Sequence, residues 1–202
     1  MAILLLRFLG DPVLRTPAEP VREFDPDLAG LAADMVASMY AHGGVGLAAP
    51  QIGRSIRLFV ADVGERRDGT EAIVLVNPEI VGAEGTIAGE EGCLSIPGVS
   101  AEVERHGRVR VRAVNPAGEP FEVDGRELLS RVLQHEIDHL NGVLFIDRLA
   151  PSLRQAVLRE YEALRDEARR EAARRRDADP RQDASRGPYP ADAPVRDRAA
   201  AR

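Results

Sequence analysis

The chain contains one cysteine, Cys93, and no lysine at all. A lone thiol excludes an intramolecular disulfide framework and fits a reducing compartment. All 27 basic residues are arginine, a bias we attribute to genome composition rather than to chemistry. Long apolar runs are missing too. The run Ile3, Leu4, Leu5, Leu6 ends at Arg7, too short for a secretory hydrophobic region or a membrane span. The expectation is a protein that stays in the cytoplasm where it is made, with no membrane partner and no specific DNA partner. No internal repeat is visible.

What is present points to a soluble globular class. The 202 residues, 44% apolar and 30% charged, suffice for one domain with a real core plus an appendage. The net charge of −6 hides an asymmetry: residues 1–150 carry 14 Arg against 23 acids, and residues 151–202 carry 13 Arg against 10. The basic end could touch an anionic partner, or be no more than a solvated helix face with a frayed tail.

Prolines 12, 17 and 20 make the first 24 residues read as extended segments. From Pro26 to about Ala41, apolar residues recur at helical intervals until Gly43 and Gly44, predicting a helix that covers a sheet. Stretches 57–63, 72–76, 109–114 and 121–123 read as strands, with Asn115-Pro116-Ala117-Gly118 as the turn between the last two. Consecutive antiparallel pairing follows, hence an α+β class. Asp124 and Glu127 have the spacing of a capping box, and Leu128, Leu129, Val132, Leu133, Ile137 and Leu140 recur helically before Asn141-Gly142. A third helix is expected over 152–176, its distal part projecting into water. The expected organisation is a domain over 1–150, a C-terminal helix over 151–176 and a disordered tail over 177–202.

The second helix contains QHEIDHLNG, residues 134–142. Residues four apart on a helix nearly eclipse, so His135 and His139 can share one metal ion while Glu136 lies to the side, placed for proton transfer. Two ordinary histidines in a charged helix are the bland alternative, weakened by apolar neighbours that make unsatisfied imidazoles costly. A catalytic site of this kind needs a third protein ligand. No histidine follows His139, which leaves His42, His106, Cys93 or an acid of residues 152–176. Cys93 lies in EEGCLSIPG, where a glycine before it and Pro97 after it suit a rigid extended loop; alone, it would read as a small buried hydrophobe. Glycines 43, 44 and 46 suit close approach to an extended peptide better than a phosphate loop, since no Gly-Lys-Ser/Thr follows.

Three segments taken together narrow the choice. GVGLAAPQIG (44–53), EGCLSIPG (91–98) and QHEIDHLNG (134–142) resemble, in order and spacing, the three signature motifs of bacterial peptide deformylases. The resemblance extends from RFLGDPVLRTPAEPV near the start to Leu149. It implies an α+β scaffold of antiparallel sheets packed around a central HExxH helix, with an N-terminal and a C-terminal helix. It also implies release of formate from the N-terminal formylmethionine of nascent polypeptides. On the resemblance, Cys93, His135 and His139 are the metal ligands and Glu136 the general acid/base, with Gln51 and the backbone NH of Leu94 as oxyanion donors. Gly46 matches the backbone position that binds the substrate amide. Val45, Leu128, Val132 and His135 match the lining of the methionine pocket, and Arg131 falls where relatives can carry an apolar residue. The implied metal is Fe(II), with Zn(II), Ni(II) or Co(II) as replacements and oxidation at iron or Cys93 as the weakness. Glu91 and Asp138 could orient ligands or be surface carboxylates. The arginines of the last helix raise the possibility of ribosome contact. Against this stand a true HExxH metallopeptidase with another third ligand and a non-catalytic metal-stabilised binding module.

Overall fold

The structure, a computed structural model, describes residues 1–66 and 69–178, the last four of these as helix backbone only. Helix α1 (Pro26–Ala41) starts where sequence chemistry places it. The Asp25 carboxylate accepts the Leu28 NH at 2.8 Å, and Pro26 occupies the first turn. Strands β1 (Gly46–Ala48), β2 (Leu58–Ala61), β3 (Ile73–Glu84), β6 (Arg108–Val114) and β7 (Pro120–Arg126) form an antiparallel five-stranded sheet in the order β1-β2-β3-β6-β7. Between β3 and β6 the chain makes a separate two-stranded sheet, β4 (Ile87–Cys93) with β5 (Ile96–Arg105). Helices α2 (Glu127–Leu140) and α3 (Pro151–Ala178) complete the α+β fold.

Alternation along the strands fixes which helix covers which face. On β2, Phe59 and Ala61 point towards Val132, Leu133, Ile137 and Leu140 of α2, while Leu58 and Val60 point towards Leu28, Met35 and Met39 of α1. The five-stranded sheet is therefore sandwiched at its β1-β2 end. Fully burying a side chain of this size contributes about 1.5–3 kcal/mol. Every residue of α2 from Ser130 to Leu140 is buried, which makes it the central helix. It ends at Asn141, and Gly142 takes the left-handed backbone (φ 73°) where a Cβ would lie 2.7 Å from the Arg15 carbonyl oxygen.

Three expectations change. Residues 12–15 form a short 3-10 turn that buries Leu14, not an extended segment, since the Asp11 carboxylate accepts the Val13 NH. The capping box is not formed. Asp124 lies inside β7 and receives Arg108 Nε at 2.8 Å, the helix is capped by Arg126 without a side-chain bond, and Glu127 has φ 49°. The β6-β7 ladder holds residues 120–126 extended to the start of the helix, so no loop remains in which Asp124 could cap. The segment around Cys93 is a hairpin instead of a loop: Cys93 ends β4, Leu94 and Ser95 make the turn, and Pro97 lies in β5.

Helix α3 starts at Pro151 and reaches Ala178, slightly beyond the expected span. Val157 and Tyr161 pack against the hairpin core, and residues 169–174 are exposed apart from half-buried Ala172. Residues 179–202, most of the expected tail, lie outside the described residues. Among the described residues no helix is long and apolar enough to cross a membrane.

Candidate metal centre

Cys93, His135 and His139 come together although β4 and α2 are far apart in sequence. Each offers one donor atom, and the three atoms all lie within 4.8 Å of one another. Cys93 Sγ is 3.2 Å from His139 Nε2. The other imidazole is held from behind: its Nδ1 is 3.1 Å from Glu91 Oε2. A carboxylate only accepts, so Nδ1 carries the hydrogen and the lone pair of His135 is left on Nε2. One thiol and two imidazoles, one with its tautomer fixed, suit a single tetrahedral cation that keeps one position open. His42 and His106 lie elsewhere, their rings beside the carbonyl oxygens of Leu4 and Gly85.

The other predicted side chains surround this cluster. Gln51, buried in the 3-10 turn after β1, accepts the Ala48 NH through Oε1 at 2.8 Å. That orients its Nε2 towards Ser95 Oγ (3.3 Å) and Cys93 Sγ (3.6 Å). Leu94 lies in the hairpin turn beside Gly44, where a Cβ would meet its Cδ1 at 2.8 Å. A Cβ on Gly46 would lie 2.3 Å from Glu136 Oε1, so β1 passes directly over the carboxylate.

The comparisons with known proteins agree with this arrangement. The polypeptide deformylase family pattern matches residues 3–155. The peptide deformylase of Acidobacterium capsulatum is 56% identical over 149 residues, 74% of this chain and 88% of that protein. That of Acidothermus cellulolyticus is 50% identical over 159 residues, 79% and 86% of the two chains. The crystal structure of a peptide deformylase from Legionella pneumophila superposes with a TM-score of 0.78 at 48% identity, covering 82% of this chain and 96% of that one.

The chain belongs to the polypeptide deformylase family.

With membership comes the activity, hydrolytic removal of the formyl group from the N terminus of nascent peptides. The metallopeptidase and binding-module alternatives lapse. Within this deformylase site, burial sets unusual proton affinities. Burial raises the Glu136 carboxyl to about 7, outweighing the opposing pull of His135. Burial also lowers His139 well below the ordinary histidine range, reinforced by His135 and Arg105. On His135 burial acts in the same sense, but the Cys93 sulfur and the Glu91 carboxylate overcome it and raise the group well above that range. A cation held by His135 would have to displace that proton.

The residues expected to line a methionine pocket divide. Val132 is buried in the core between α2 and the sheet with Val45 packed against it, whereas Leu128, on the first turn of α2, is 52% exposed. Glu91 and Asp138 are buried, not surface carboxylates. Asp138 receives Nη1 of Arg105 at 2.5 Å and Nε of Arg148 at 2.5 Å. Arg105 is a buried neighbour of the cluster that sequence reading passed over, and Arg131, read there only as a departure at the pocket lining, is buried against the same Glu91 carboxylate. Each carried a signal: Val99, Ala101, Val103 and Arg105 share one face of β5, and Arg131 lies one turn before His135.

Proposed function

We propose that Cys93, His135 and His139 hold one divalent cation, Fe(II) in the working protein with Zn(II), Ni(II) or Co(II) as replacements, and that Glu136 is the general acid/base. The thiolate is a soft donor, which suits these borderline metals. When bound, the cation supplies Lewis acidity towards water and the formyl oxygen. Everything else is work for side chains and backbone. Glu136 takes a proton from the attacking water at a carboxylate oxygen and delivers it to the departing amine nitrogen, so formyl-NH-peptide plus water gives formate and a free N terminus. A carboxyl with its proton affinity near 7 suits both halves of that transfer at neutral pH.

Nε2 of Gln51 and the backbone NH of Leu94 donate to the oxygen that gains charge as the carbonyl becomes tetrahedral. The Ala48 NH on Gln51 Oε1 supports the assignment, since it keeps the donating end turned towards Cys93. The Gly46 backbone binds the substrate amide in strand fashion, and Val45, Leu128 and Val132, with the His135 ring, receive the methionine side chain. Residues 1–150 make up the catalytic domain, a reading supported by the family match over 3–155. A newly synthesised formylated chain as substrate supports the cytoplasm as the place of action.

The observation that carries the reading is the buried Glu136 carboxylate lying against Gly46, on the same helix as His135 and His139 of the ligand cluster. Its test is formate release from a formyl-Met peptide with metal analysis of the same sample. Glu136→Gln should retain the metal and release no formate. Formate release at the wild-type rate by Glu136→Gln, or by Cys93→Ala with undiminished metal, sinks it.

The exposed arginines of α3, among them Arg159, Arg169, Arg170 and Arg174, support contact with ribosomal RNA near the emerging chain. Deleting residues 151–202 should weaken co-sedimentation with ribosomes at low salt, and unchanged binding refutes the contact.

A further inference from the structure

The proposed ligands come from two bodies of structure. His135 and His139 ride on α2, which packs on the five-stranded sheet, whereas Cys93 ends β4, and among the described residues β4 and β5 form a sheet of their own. No backbone ladder between the two sheets sets the distance from sulfur to imidazoles. Side chains that cross from helix to hairpin have to set it.

Arg131 makes such a crossing. It is 7% exposed, one turn before His135, and its guanidinium is spent on the hairpin. Nη1 donates to Glu91 Oε1 and to the Val103 carbonyl, both at 2.8 Å, and Nη2 donates to the Ile87 carbonyl at 3.2 Å. One planar group thereby bonds both strands of the hairpin and the carboxylate that holds His135 Nδ1. Gly89 leaves it room, since a Cβ there would lie 2.9 Å from Nη2. Arg105 crosses in the opposite direction, from β5, with Nε and Nη2 on Glu91 (2.8 and 2.9 Å) and Nη1 on Asp138 of α2 (2.5 Å). Glu91 thus has both oxygens doubly satisfied, locked between two guanidiniums and the His135 ring.

A buried charge network of this kind is a poor device for stability alone, because well-packed apolar side chains in its place are often neutral or stabilising. It is a good device for geometry, since the fork of a guanidinium fixes direction as well as distance. We propose that Arg131 is a positioning residue for the metal centre: it docks the Cys93 hairpin against α2 and, through Glu91, fixes the His135 ring. The proposal rests on the ligand set assigned above. Without Arg131 the hairpin stays folded and packed, but Cys93 and His135 lose their fixed separation, and the cation is held less firmly.

The test uses the holoenzyme loaded with Ni(II), reading the rate of metal loss to a chelator alongside the melting temperature of the same samples. Arg131→Met should lose metal about 10- to 100-fold faster, and should also melt lower after chelation, because one partner of a buried charge network is removed while the others stay. Arg131→Lys, a point donor without the fork, should lie between the two. Val157→Ala, in the α3 contact with the hairpin core, is the control for simple destabilisation, and should melt lower without faster metal loss. Metal loss at the wild-type rate in Arg131→Met overturns the proposal, as does acceleration no greater than that of Val157→Ala. Should Arg131→Met not fold, wild-type metal loss in Arg131→Lys overturns it equally. Cys93→Ala separates the two levels of the reading, because tight metal retention there overturns the ligand assignment itself, and the role of Arg131 with it.

Discussion

Gly46 and Glu136 touch: a Cβ added to the glycine would lie 2.3 Å from Oε1 of the glutamate and 2.8 Å from its Cδ. Strand β1 therefore lies against the carboxylate with no room for a side chain. The backbone of Gly46 is not in the left-handed region, so an alanine meets the carboxylate and not a forbidden conformation. Gly46→Ala should leave the melting temperature within a few degrees of wild type while kcat falls about 100-fold, because a carboxylate displaced by ~1 Å no longer reaches the reacting water. Steady-state kinetics with thermal melts of the same preparation check this, and a fully active Gly46→Ala removes the close contact from the mechanism.

Burial lifts the Glu136 carboxyl from 4.5 to about 7. A carboxyl raised on folding favours the folded state fully below the unfolded value near 4.5, and that contribution is lost as pH climbs through about 7. In chelator-treated protein, Glu136→Gln should therefore gain stability over wild type as pH rises from 5 to 8, by on the order of 3 kcal/mol in total. Urea unfolding of both proteins across that range decides it. A difference that stays flat or shrinks with pH contradicts the assignment of a buried, reluctant acid.

Gln51 presents its amide nitrogen 3.6 Å from the Cys93 sulfur, with the oxygen end fixed on the Ala48 NH. Gln51→Leu removes the donor and keeps the volume. The expected loss in kcat/KM is about 2.7–4 kcal/mol of transition-state stabilisation, appearing in kcat more than in KM. A change confined to KM would make Gln51 a substrate contact instead.

Glu127 opens α2 with φ 49°, a conformation that costs a non-glycine residue about 1 kcal/mol or more. Its NH bonds the Gly107 carbonyl at 3.0 Å, so the chain is held there by that contact and by the β6-β7 ladder. Glu127→Gly should be neutral or stabilising by up to ~1 kcal/mol in chemical denaturation, in contrast to the loss expected of glycine at an ordinary helical position. A loss above that size would mean that the carboxylate, at the positive end of the helix dipole, outweighs the backbone strain.

Much of the local structure was legible in the residues. The helical recurrence of Leu28, Met35 and Met39 from Pro26 to about Ala41 marks α1, and the valine-arginine alternation of 109–114 marks β6, which begins one residue earlier. The HExxH spacing puts two imidazoles on one side of a helix, as observed. These features depend on neighbours within a few residues, where dihedral preference and side-chain period act directly. Asp124 shows where that ends. Its spacing to Glu127 satisfies a capping rule, yet pairing with Arg110 of the preceding strand keeps it extended and gives its carboxylate to Arg108.

By itself the sequence determined which donor types are available: one thiol, a histidine pair and a glutamate beside it, in motifs ordered like those of the deformylases. It could not determine that Cys93 meets His139 at 3.2 Å, that Glu91 holds His135, or that Arg131 and Arg105 are buried around that carboxylate. Taken singly, each of these residues is an ordinary polar side chain. What gives them a common role is the docking of the β4-β5 hairpin against α2, a contact between segments some forty residues apart that no local pattern encodes. Burying charge there is tolerable only when all partners arrive together, a condition met by the folded chain as a whole.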